Sequence, residues 1–361
     1  MRIIFCNVTY LRYYDGRVVG ELKPKKGGRW VQENEDAHEK WNFLNMDGKC
    51  YGYVQGNSEQ MHIEKLDKVY CQQDEANDIT VVWCASNDEN KTVVVGWYEH
   101  ANVHRYLQSM PVTPVTGIER CYWFSTNAEN AYLLPEKDRT FEIGRASRTG
   151  AGTGFGHQNY WYAESEYAKE NVIPKVLEFI EKHRNNRINT LNDVFEQPED
   201  LSPLSDDELK YIEELEDEGN EKVYLPYAYR IYANQPSADN AYAVAVTLRN
   251  LFQYERAIPW YEKTLEMDPE DWETAGFLAY IYSQCGKYEK TIQMAEKLLT
   301  FGKASEADAR DEVYCMLADA HFFNGDIENA FYWQDRILKE SKNKGLIAHT
   351  KEIQNNWKSN L

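Results

Sequence analysis

Tyr254-Glu255-Arg256-Ala257 and Tyr288-Glu289-Lys290-Thr291 share one pattern at an offset of 34 residues (288 − 254). The offset holds outside the quoted stretch: Ala245 returns as Ala279, and Leu248 as Tyr282. A third unit carries Leu317-Ala318, Gly325-Asp326-Ile327-Glu328 and Ala330 at an offset of 39 from the second (318 − 279). Its extra length falls in Phe301-Gly302-Lys303-Ala304-Ser305-Glu306. A fixed period of this size, with small residues at two positions per unit, describes paired helices that approach closely at each Ala and stack on the next pair.

This pattern, closed by Asp268-Pro269 in the first unit, resembles the tetratricopeptide repeat. Tyr224–Ala233, followed by Pro236, reads as a degenerate preceding unit, so three to four units are expected over residues 222–361. The resemblance implies an all-α solenoid that binds a protein or peptide along one side, or that pairs two copies of the chain. Charge bears on the partner. Residues 191–361 hold 33 Asp+Glu against 17 Lys+Arg, whereas residues 1–190 hold 26 against 23. An acidic surface repels nucleic acid and favours a basic segment. Between the halves, residues 189–221 read as an acidic linker and helix, with Pro198, Pro203 and the run Glu213-Glu214-Leu215-Glu216-Asp217-Glu218.

The first half reads differently. Ile79-Thr80-Val81-Val82-Trp83-Cys84-Ala85 and Thr92-Val93-Val94-Val95-Gly96-Trp97-Tyr98 flank a polar turn and predict a buried hairpin. Further strands are expected at 2–8, 49–55, 120–126 and 130–134, with helices near 34–45 and 164–183. Many short strands joined by turns favour a small barrel or sandwich, giving an α+β domain over residues 1–188. The opening Met1-Arg2-Ile3-Ile4-Phe5-Cys6-Asn7-Val8 reads as a buried strand, not a signal peptide. No apolar run is long enough to span a membrane.

The stretch from Trp30 to Val54, with Trp30, Asn34, Trp41 and Gly48, resembles the opening of EVE domains of the PUA-like superfamily. Val93–Trp97 matches their Val-Val-Gly strand, and Phe155–Tyr160 their closing strand; Lys49 departs from the usual acid after Gly48, and the closing Gln-x-Arg is absent. The resemblance implies a pseudo-barrel whose cleft takes up a nucleobase, often a modified one, in DNA or RNA. Trp30, Asn34, Trp97, Tyr98, Gln158, Asn159 and Tyr160 would then hold the base by stacking and edge contacts. Most aromatics of a domain this size must nevertheless fill its core, and Trp83 is expected there. Two cationic, glycine-bearing loops could meet phosphates: Lys25, Lys26 and Arg29 in one, Arg145 and Arg148 in the other.

Catalytic signatures are absent. The glycines at 150–156 form neither a P-loop nor a dinucleotide fingerprint, and no Gly-x-Ser-x-Gly elbow occurs. His38-Glu39 lacks the second His of a zincin, and His100 and His104 lack an evident third ligand. No catalytic residue, cofactor or metal is therefore expected. Seven scattered cysteines without a Cys-x-x-Cys pair point to a reducing, cytoplasmic setting. The sequence thus supports an adaptor that couples nucleic-acid recognition to protein binding. A purely protein-binding scaffold, or an enzyme using the N-terminal cleft on a small molecule, are the alternatives.

Overall fold

The computed structural model describes residues 2–16, 18–23, 38–56, 59–110, 120–215 and 220–360. Contacts divide the chain into two compact units, one holding the described residues up to Glu196 together with Asn220, the other comprising Gln197–Leu215 and the chain from Glu221 onward.

In the first unit, seven strands form one sheet: β1 (Arg2–Val8), β2 (Lys49–Gly52), β3 (Glu75–Ser86), β4 (Thr92–Ser109), β5 (Cys121–Asn127), β6 (Ala131–Leu133) and β7 (Tyr160–Trp161). The order is β2-β5-β4-β3-β1-β7, with β6 paired to β4. The path is open, so the expected pseudo-barrel is corrected to an open sheet among the described residues. β1 lies between β3 and β7 and runs parallel to β3, from Arg2↔Ile79 to Val8↔Ala85. This explains its unbroken apolar run, since both faces of β1 and β3 are covered. Ile4, Cys6, Val81, Trp83, Val95 and Tyr98 lie in the core on one side. Ile3, Phe5, Val82, Cys84, Val94 and Trp97 lie on the other, with Val176, Phe179 and Ile180 of α1 (Ile173–His183).

Two expected helices change form. Helix 164–183 begins as a π-turn, Ala168–Val172, before α1. The described part of the helix expected at 34–45 is a single 3₁₀ turn, His38–Trp41. After it the Asn42 amide clasps the backbone of Tyr53, donating to its carbonyl and accepting from its N–H, both at 2.9 Å. The stretch expected as a linker is also shared out. Asn189 bonds Leu133 and Ala131 in the first unit. α2 (Asp206–Glu213), opened by a capping box at Ser205 and Glu208, is held to Arg230 in the second unit through Glu208.

The second unit continues with α3 (Glu221–Asn234), α4 (Ala238–Asn250), α5 (Tyr254–Met267), α6 (Trp272–Gln284), α7 (Tyr288–Leu298), α8 (Ala307–Phe323), α9 (Ile327–Glu340) and α10 (Lys344–Asn360). Successive helices pack on one another as a helical solenoid. The small residues singled out by the period sit at the crossings: Ala245, Ala279, Ala257, Thr291 and Ala330 are fully buried. Within each repeat the first helix ends the same way. Gln253, Lys287 and Asp326 donate their N–H to Leu248, Tyr282 and His321, at 2.8–2.9 Å. The residue before each donor is left-handed: Phe252 (φ 57°), Gly286 (φ 68°) and Gly325 (φ 82°). This is a repeated Schellman-type stop, with glycine at two of the three places.

Candidate functional site

The first helices of the pairs, α4, α6 and α8, present a shared row of side chains. On α4, Tyr242, Val246 and Arg249 recur at helical spacing, as do Glu273, Phe277 and Tyr280 on α6. Neighbouring helices are stitched across this row. Tyr242 Oη donates to Glu273 Oε1 at 3.2 Å, and the Arg249 guanidinium lies 4.1 Å from the centre of the Phe277 ring. Arg249 is 8% exposed, so the cation–π contact stands where a water shell would otherwise be. On α8 the row continues through Glu312, Cys315, Asp319 and Phe322, and Phe322 stacks on Trp357 of α10 at 3.8 Å. Asp319 is exposed on α8, yet neighbouring protein displaces enough of its water to push the carboxyl up to about 6, opposed by His349. The second helices carry ion pairs instead, Lys290 to Glu262 at 3.3 Å and Lys287 to Glu255. The row is thus aromatic and acid-bearing, with hydrogen-bonding groups already oriented, a surface suited to an extended polypeptide.

In the first unit the sequence-predicted site separates. Trp30, Asn34, Lys25, Lys26 and Arg29 lie outside the described residues. Trp97 and Tyr98, expected together at a base, are both fully buried and, being consecutive in β4, face opposite sides of the sheet. Trp97 stacks on Tyr132 with ring centres 5.1 Å apart and donates Nε1–H to Glu99 at 3.3 Å. Tyr98 donates its hydroxyl to the Asn42 carbonyl and packs edge-on against Trp83. Both rings therefore do the work of core. His100 and His104 also part company: His100 Nδ1 shares a hydrogen bond with Asp78 at 2.8 Å, and His104 pairs with Glu75 at 3.3 Å. Among the described residues no group of three or more His, Cys, Asp or Glu could hold a metal ion.

Other predicted residues are brought together. Arg145 donates to Asn7 Oδ1 at 3.1 Å, to Ser86 Oγ at 3.1 Å and to Thr92 Oγ1 at 2.8 Å. Asn7 in turn donates its N–H to the Asn159 carbonyl at 2.6 Å. Arg145, Asn7 and Asn159 thus form one connected arch at the ends of β1, β3 and β4. Gln158 is exposed next to it, while Tyr160 is buried in β7 against β1. Arg148 is exposed on the one-turn helix Ala146–Thr149. A groove of about 400 Å³ runs alongside, lined by Lys65, Gly156, Gln158, Trp161, Tyr162 and Glu164 among others. Asn7 and Lys65 were not anticipated. Asn7 lies one residue before the end of an apolar strand and 138 positions from Arg145, and no local signal foretells that pairing.

Comparison with known proteins agrees with the repeat geometry. A family model described as tetratricopeptide repeat matches residues 238–271, which span α4 and α5. The second unit carries tetratricopeptide repeats. Stress-induced-phosphoprotein 1 of Caenorhabditis elegans is 26% identical over 108 residues, covering 29% of this chain and 34% of that protein. The chain thus spans about a third of the length of that curated relative. Among solved structures, the N-terminal domain of stress-induced protein-1 from C. elegans matches at 22% identity, covering 32% of this chain and 96% of that one, with a TM-score of 0.30. YrrB, described as a tetratricopeptide-repeat protein with an unusual peptide-binding site, matches at 15% identity, covering 52% and 87%, with a TM-score of 0.32. The EVE-like resemblance rests on the sequence motifs alone. No helix among the described residues is long and apolar enough to cross a membrane.

Proposed function

We propose that the chain is a protein-binding adaptor whose repeat unit takes an extended, basic polypeptide segment along the row formed by α4, α6 and α8. The observation that carries this reading is the row itself: Tyr242, Phe277 and Tyr280 supply ring surface, while Glu273, Glu312 and Asp319 supply charge at helical spacing. Aromatic groups flanked by charge anchor peptides through a few strong contacts. The acid excess of residues 191–361 adds long-range attraction for a cationic partner and speeds its encounter.

Fluorescence anisotropy of the full chain with labelled Lys/Arg-rich and Asp/Glu-rich peptides tests this reading. The basic peptide should bind, more weakly as salt rises, and Glu312→Lys should weaken it several-fold. Preference for the acidic peptide, or indifference to Glu312→Lys, contradicts it. A rise in molecular mass with chain concentration and no peptide binding would instead assign the row to pairing between two copies of the chain.

A further inference from the structure

Asp78 and His100 meet where the pairing of β3 with β4 slips twice. We propose, independently of the repeat unit's role, that they form a general-base dyad hydrolysing small, uncharged carboxylic esters. From Ala76↔Val103 to Ile79↔Ala101, β3 runs one residue longer than β4. From there to Val81↔Tyr98, β4 runs one residue longer than β3. The second slip undoes the first, so neither serves to change the register of the strands. Both slips carry left-handed backbone, at Asp78 (φ 59°) and at His100 (φ 50°). An extra residue in a ladder leaves the regular alternation and re-aims its side chain. Here the two re-aimed side chains find each other: His100 Nδ1 shares a hydrogen bond with Asp78 Oδ1 at 2.8 Å. Unusual backbone kept at two facing positions, with no gain in register, points to a use for the pair it creates.

The pair has a place to act. Asp78 and His100 line a cavity of about 730 Å³, bounded also by Arg2 of β1 and by Leu177 and Ile180 of α1. A carboxylate on Nδ1 orients the ring and stabilises the imidazolium that forms when Nε2 takes a proton. Leu66, Leu177 and Ile180 give apolar wall for a short acyl chain. Charge selects the substrate. The lining holds four carboxylates, of Asp67, Asp78, Glu99 and Glu181, against the two guanidiniums of Arg2 and Arg184. That excess disfavours phosphate esters and other anions and leaves uncharged carbonyl compounds. Glu99 is engaged elsewhere, by Trp97 Nε1–H at 3.3 Å and Arg184 at 2.5 Å. Arg2 is fixed by Asp67 through Nε at 3.0 Å and Nη2 at 2.9 Å. Its pKa is raised, first by that hydrogen bond and in smaller part by the charge of Asp78, so its guanidinium stands near the dyad. It supplies positive charge for the oxygen anion of a tetrahedral intermediate.

In the reaction, His100 Nε2 takes a proton from water as the water oxygen bonds to the ester carbonyl carbon. Collapse of the intermediate breaks the bond to the leaving alkoxide, which receives that proton from His100. Acid and alcohol depart, the imidazole returns neutral, and water is the one co-reactant.

Initial rates of the full chain on 4-nitrophenyl butyrate, with 4-nitrophenyl phosphate as the anionic counterpart, test the dyad. Saturable release of nitrophenolate from the butyrate, and none from the phosphate, is expected. Asn tolerates left-handed backbone, so His100→Asn and Asp78→Asn remove the base and its positioning carboxylate while keeping both turns. His100→Asn should lower kcat roughly a hundredfold. Asp78→Asn should lower kcat about tenfold or more with KM and melting temperature unchanged, a split that a merely structural role would not give. Absence of saturable hydrolysis, or a kcat that His100→Asn leaves unchanged, would overturn the dyad. Faster turnover of the phosphate would overturn the substrate class.

Discussion

The two units reach order by opposite routes. In the repeat unit each helix leans on its neighbours in sequence, and the same turn and the same small residues recur at each pair. In the strand-rich unit the decisive contacts are remote: β1 pairs with β3 at Arg2↔Ile79, and β7 returns to β1 at Cys6↔Tyr160. A repeat can lose one contact and keep its neighbours, while a sheet closed by remote strand pairing stands or falls as a whole. The surfaces follow the same division. The repeat unit offers a long, shared face, and the sheet unit offers one compact corner where strand ends meet.

The largest expected effect is a loss of core in the sheet unit. Trp83 is fully buried against Tyr98 and Phe124, so Trp83→Ala should cost about 3–5 kcal/mol. Calorimetry should show the first unit's transition lowered and the second's unchanged. A joint shift of both would abolish that contrast.

Next comes the helix crossing. Ala279 is fully buried, and Ala279→Leu should overpack it at about 1–3 kcal/mol, read as a lower midpoint in urea. An unchanged midpoint would place Ala279 outside the crossing. A smaller cost attends the cap of α6: Asp271 accepts from the Thr274 N–H at 3.1 Å, and Asp271→Ala should remove about 1 kcal/mol.

Much of this contrast was legible beforehand. The period placed Ala245, Ala279 and Ala257 at crossings because local contacts repeat what local sequence encodes. The hairpin of β3 and β4 was legible too, from β-branched runs around a turn. Sheet order was not, since nothing near Ile3 or Tyr160 names its partner strand. The predicted base site split for a related reason: Trp97 and Tyr98 share a strong aromatic signal, and alternation along β4 sends them to opposite cores. The Arg145 corner was half legible. The loop announced its charge, while Asn7, Ser86 and Thr92 joined it only through the fold.

The pH dependences should also diverge, with smaller effect. Glu64 is held down at about 2: desolvation opposes this, but hydrogen bonds from its own backbone N–H, Arg105 and His62 prevail. A folded pKa below the ordinary 4.5 stabilises the first unit above that pH, and the gain is lost as pH falls toward 2. Asp319 does the reverse. Raised from 3.8 to about 6, it favours the folded second unit below pH 4, and that support is lost as pH rises through 6. Its side chain keeps access to solvent, so the effect should be modest. Asp319→Asn should flatten the second unit's melting temperature between pH 4 and 6, and Glu64→Gln the first unit's below 4.5. Identical pH profiles for each variant and its parent would contradict both assignments.

The most direct test of the account is where a bound peptide lands. Hydrogen exchange of the full chain, with and without a saturating Lys/Arg-rich peptide, reads this helix by helix. Added protection is expected in Ala238–Asn250, Trp272–Gln284 and Ala307–Phe323, with Tyr254–Met267 and Tyr288–Leu298 unchanged. Protection confined to those second helices, or to the strand-rich unit, would contradict it.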